Sequence, residues 1–121
     1  MYVQVDREMQ QVQEAKRLEV EARSFFMYVE EELRRSDRFE TPTRYVLCFR
    51  DDAGGTIMYW MTGNRLCRQV NGTGYVVMLQ YVSRVEFTVF PNGCQVYIEL
   101  TKGGASWKGE VFIAKRVELA A

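Results

Sequence analysis

Histidine is absent from the 121 residues of this chain. That removes the commonest general base and the commonest metal ligand. No nucleophile, base and orienting group can be drawn together without it, so no catalytic residue is assigned and no enzymatic activity is expected. No cofactor-binding and no metal-ligating residues are assigned either. A net charge is lacking too: 16 Lys and Arg balance 16 Asp and Glu, which leaves no global electrostatic case for nucleic acid. Cysteine is sparse. Cys48, Cys67 and Cys94 lie too far apart in sequence for a CxxC redox site or a zinc knuckle. If the first three strands form a simple meander, Cys48 and Cys67 sit on strands ~9.5 Å apart and cannot bridge. A disulfide involving Cys94 stays open at this point. No apolar run reaches transmembrane length and no signal peptide is present.

What the chain does have is a long helical stripe at its start. Val5, Met9, Val12, Ala15, Leu18, Ala22, Phe25 or Phe26, Val29 and Leu33 recur in steps of three and four, the period of one helix face. No Gly or Pro interrupts the run from Tyr2 to Ser36. The stripe is uneven. Its first half carries modest apolar residues among many charges, and its second half carries Phe25, Phe26, Tyr28, Val29 and Leu33. Burying a large apolar side chain contributes roughly 1.5–3 kcal/mol, so the second half is expected to dock on the body and the first to project. Glu30, Glu31 and Glu32 read as the solvated face of the last turns.

After the helix the period changes to two. Thr41-Pro42-Thr43 reads as a linker, because Pro42 biases Thr41 away from helix. Strands are expected at 44–50, 56–61, 65–70, 82–90 and 94–101, a last one within 107–117, and a short strand or irregular crossing at 75–79. Asp51-Asp52-Ala53-Gly54-Gly55, Gly63-Asn64, Asn71-Gly72-Thr73-Gly74, Pro91-Asn92-Gly93 and Lys102-Gly103-Gly104-Ala105 supply the turns. The Asn71–Gly74 segment lacks a P-loop lysine and a following helix, so it is a turn and not a phosphate loop. Asp51 and Asp52 offer too few oxygens for calcium. The expected fold is one α+β domain over residues 1–121. A helix over 2–36 packs on an antiparallel sheet of about six strands over 44–117.

Two sets of residues are candidates for contact. The first is the sparse half of the helix stripe, Val5, Met9, Val12 and Ala15, as a subunit interface. The second is Arg65, Arg68 and Lys108, with Tyr75 and Trp107 as stacking groups, as nucleic-acid contacts. The alternative for the second set is a scatter of solvent-facing strand residues.

The order of elements, with a long first helix laid on an antiparallel sheet, resembles the type IV pilins and pseudopilins. Particular strings narrow the resemblance. Phe26–Asp37 (FMYVEEELRRSD), Ile57-Met58-Tyr59, Asn64–Gly74 (NRLCRQVNGTG), Met78–Val82 (MLQYV) and Val85-Glu86-Phe87 are similar to ComGF, a minor pseudopilin family of the Gram-positive competence machine. The likeness covers roughly Phe25 to Leu100, and minor pseudopilins of type II secretion share the layout more loosely. The resemblance implies a structural role in assembling or capping a fibre used for DNA uptake. It implies the major competence pilin and the other minor pseudopilins as partners, and a place at the cell membrane and cell surface. It also implies an apolar anchor upstream of the helix, which this chain lacks; the chain as written is expected to be soluble. DNA contact is not part of what the resemblance implies. The alternative of another class is a soluble adaptor domain that dimerises through the long helix.

Overall fold

The computed structural model describes residues 2–115, and side chains from Glu8 onward. Helix α1 runs unbroken over Tyr2–Arg34, about 50 Å at 1.5 Å per residue. With no helix breaker inside it, the chain has no place to fold back. The helix ends in a tightened turn: the Arg35 and Ser36 N–H groups donate to the Glu32 and Leu33 carbonyls, and the Ser36 hydroxyl donates to the Glu32 carbonyl at 2.7 Å. These bonds satisfy carbonyls that a helix C-terminus otherwise leaves open.

Eight strands follow: β1 Asp37–Thr43, β2 Val46–Arg50, β3 Thr56–Thr62, β4 Arg65–Val70, β5 Thr73–Leu79, β6 Val82–Phe90, β7 Gly93–Lys102 and β8 Ala105–Ala114. They form two antiparallel sheets, a five-stranded meander β1-β2-β3-β4-β5 and a three-stranded meander β6-β7-β8. The single sheet of about six strands expected from the sequence is therefore corrected to five plus three. The additional strand is β1, where a linker was expected. It pairs only with β2, in an interrupted register (Asp37↔Arg50, Glu40↔Cys48, Thr43↔Val46). Such an edge tolerates Pro42, whose missing N–H need not join a ladder. The β-structure thus begins at residue 37 and not at 44. The segment at 75–79 is regular enough to be a strand, and the last strand begins two residues earlier than expected. Residues 116 and 117 of that expected strand lie outside the described residues.

The split between the sheets falls at Gln80-Tyr81. Tyr81 takes a left-handed backbone (φ 63°), which turns the chain away before β6 can continue the first meander. The sheets stay joined through single backbone bonds, Val82 N–H to Asn64 O (2.8 Å) and Phe87 N–H to Arg44 O (2.7 Å), while Thr101 N–H to Tyr81 O (2.9 Å) extends the β6–β7 pairing back to the bend. Together they wrap the second half of α1. Leu18, Ala22, Phe25, Val29 and Leu33 are buried against Leu47, Phe49, Ile57 and Tyr59 of the first sheet and Val85, Phe87, Val96 and Ile98 of the second, among others. Turns hold as their residues dictate. Asp51 Oδ1 accepts the Ala53 and Gly55 N–H groups (3.1 and 2.6 Å), so Asp51 is occupied by turn chemistry. No described helix is long and apolar enough to cross a membrane.

Candidate subunit interface

The stripe of α1 changes character at Ala15. Toward the C-terminus its residues are core. Ala15 itself is half-buried and packs on that core. Beyond it Val12 and Met9 are 56% and 57% exposed, although they continue the same face. The side chain of Val5 lies outside the described residues. The body's last grip on the helix is at the β7–β8 turn. There Lys102 Nζ stands 3.4 Å from Glu14 Oε2 and over the Tyr81 ring, and a Cβ on Gly104 would come within 3.2 Å of the Gln11 amide. Three of the four interface candidates therefore have described side chains. Two of these form an apolar, open helix face, and the third marks where that face enters the body.

The basic candidates are not brought together. Lys108 is exposed on β8 of the three-stranded sheet, and Arg65 is exposed at the start of β4 in the other. Arg68 is committed elsewhere. It alternates with Leu66 and Val70 on the inner face of β4, and its guanidinium donates to both carboxylate oxygens of Glu32 (Nε to Oε1 2.9 Å, Nη2 to Oε2 2.8 Å). The stacking candidates are also occupied. Trp107 packs on Phe26 with ring centroids 6.2 Å apart, and Tyr75 meets Trp60 edge-on at 5.8 Å. The three cations do not lie on one continuous surface, and Arg68 is bound to Glu32.

A group the sequence did not single out is Glu32. The expectation of a solvated Glu30–Glu32 run fails at this residue, which is buried. Besides Arg68, it accepts a hydrogen bond from the Tyr59 hydroxyl. The cluster ties the last turns of α1 to β3 and β4. Burial, then the Glu32 charge and the hydrogen bond to it, push the Tyr59 phenol far above its ordinary range. Its own hydrogen bonds to Glu32 push the Arg68 guanidinium up. The signal was present in spacing: Glu32 lies three residues after Val29 and seven after Phe25, on the buried stripe.

The three cysteines are free, Cys67 and Cys94 being buried and Cys48 half-buried. Cys48 and Cys67 lie on β2 and β4 with β3 between them, as the meander required. Burial raises all three thiols, Cys94 to about 11. At neutral pH they are therefore thiols and poor nucleophiles.

The fold and this site define a class: an α+β domain in which antiparallel sheets wrap the second half of one long N-terminal helix and leave its face open at Met9 and Val12. The family description for the competence protein ComGF matches residues 5–105, and the chain belongs to the ComGF family. No curated protein and no solved structure matches the chain.

Proposed function

We propose that this chain is a minor pseudopilin of a competence pilus, with a structural role in assembling or capping the fibre used for DNA uptake. The observation that carries the reading is the discontinuity of the α1 stripe, in a chain of a competence family. The same helix face is core from Leu18 to Leu33 and open at Met9 and Val12. An apolar helix face with no partner inside its own domain fits packing against the helices of neighbouring subunits. The partners proposed are the major competence pilin and the other minor pseudopilins, with the full-length protein at the cell membrane and cell surface. The head would then be the part that adjoining subunits and the fibre tip present outward.

The test is a change on the open face that leaves the body intact. Met9→Glu with Val12→Glu, placed in the full-length protein, is expected to fold with unchanged stability, because neither side chain is in the core. Transformation is expected to fall to the level of a strain without the gene. Undiminished transformation by the folded double variant would remove the helix face from the account.

A further inference from the structure

Helix α1 packs on strand β5 without closing against it. Between them runs an open groove of about 720 Å³, within the roughly 300–1,000 Å³ of ligand clefts. Its floor is core: Leu18, Phe25 and Leu79 are buried. Its lips are apolar and exposed at Val20, Tyr28, Val76 and Val77. The helix wall runs from Glu14 to Tyr28, about 21 Å at 1.5 Å per residue. That length exceeds one side chain and suits a segment of polypeptide.

Charge decides what kind of segment. Four charged side chains line the groove, Glu14, Arg17, Glu21 and Lys102. They sum to zero but do not pair evenly. Both cations stand at Glu14: Arg17 Nη1 is 3.5 Å from Oε1, and Lys102 Nζ is 3.4 Å from Oε2. Near the Tyr28 end, Arg68 and Glu32 hold each other. Glu21, midway along the helix wall, has no ion pair among the described residues. The other polar groups of the lining, Ser24 and Gln80, are neutral. An anion entering the groove is therefore repelled at Glu21, and a cation gains a partner there. The exposed Tyr28 ring lies two turns further along the same side of the helix and presents a π-face that also favours a cation. Lysine and arginine suit such a place, because their stems lie on apolar surface while the charged head stays in water.

We propose that the groove between α1 and β5 receives a segment of a partner protein in which a lysine or arginine stands among apolar residues. The apolar neighbours cover Val76, Val77 and the buried floor, and the cation meets the Glu21 carboxylate. An apolar centre with a polar rim is the anatomy of a protein contact. The site is separate from Met9 and Val12, and its test does not involve the fibre.

The experiment is a titration of the isotopically labelled full chain with blocked five-residue peptides, read from backbone amide shifts. The peptides share valine and alanine on both sides of a central lysine, norleucine or glutamate. The lysine peptide is expected to shift amides at 14–28 and 76–81. It is expected to bind about fivefold more tightly than the norleucine peptide, the upper end for one partly exposed ion pair, with the glutamate peptide weakest. Glu21→Gln changes an exposed side chain and is expected to keep the fold. It should bring the lysine peptide down to the affinity of the norleucine peptide and leave the latter unchanged. Val76→Lys is expected to weaken the lysine peptide and strengthen the glutamate peptide. Equal binding of the lysine and glutamate peptides overturns the proposal. So does a lysine preference that survives Glu21→Gln, shifts confined to residues outside the groove, or no binding of the lysine peptide at millimolar concentration.

Discussion

Glu32→Ala is expected to lower stability by about 3 kcal/mol, and the melting temperature by roughly 10–15 °C for a domain of this size. The substitution removes a carboxylate that accepts three hydrogen bonds, two from Arg68 and one from Tyr59. It leaves a guanidinium and a phenol on the inner face of the sheet without their acceptor. Removing one member of a buried pair costs about 3–5 kcal/mol, most of it from the stranded charge. The lower figure applies because the Arg68 side chain keeps some contact with water. The stranded charge is separable from the lost contact. Glu32→Leu combined with Arg68→Met removes both charges and should recover most of the loss, since apolar replacement of a whole buried pair is often neutral or better. Denaturant unfolding of the two variants measures this. A single variant within about 1 kcal/mol of the wild type would mean that the pair is solvated and does not clamp the helix.

Phe25→Ala is expected to cost about 3–5 kcal/mol, whereas Met27→Ala, two residues on, should stay within about 0.5 kcal/mol of the wild type. Phe25 is 4% exposed, in the core between α1 and the sheets, and Met27 is 71% exposed. Truncating Phe25 loses the transfer energy of the ring and opens a cavity beside Phe26, whose ring centroid is 5.6 Å away. Chemical denaturation of both variants reads the contrast. Equal costs would mean that the helix is rotated relative to the sheets, and with it the open face at Met9 and Val12.

These two residues also show what the sequence could and could not reveal. Phe25 was legible as one of two adjacent candidates, Phe25 or Phe26, because the helix has one strong period and no breaker; the structure puts Phe25 in the core and Phe26 at its margin. Glu32 was hidden by its neighbours: three consecutive glutamates suggest a solvated surface, yet the three-residue step from Val29 to Glu32 decides which of them turns inward. Arg68 carried the matching signal, a cation alternating with Leu66 and Val70, but the signal means burial only once the helix is known to cross that face. Strands β2, β3, β4, β6 and β7 follow from alternation and turn residues. Strand β1 does not, because charges and Pro42 are edge features that look like a linker when the partner strand is unknown. The division into two sheets rests on the bend at Tyr81, which no local pattern demands. The open helix face was readable as a change in the size of the stripe's residues.

On the proposed reading, the open face of α1 packs against other pilin subunits. A photo-crosslinking residue in place of Val12, in the native full-length protein within cells, is expected to give a cross-link to the major competence pilin or to another minor pseudopilin in the membrane or sheared-fibre fraction, identified by mass spectrometry. A cross-link only to another copy of this chain would overturn that reading and mark the helix as the dimer seam of an adaptor.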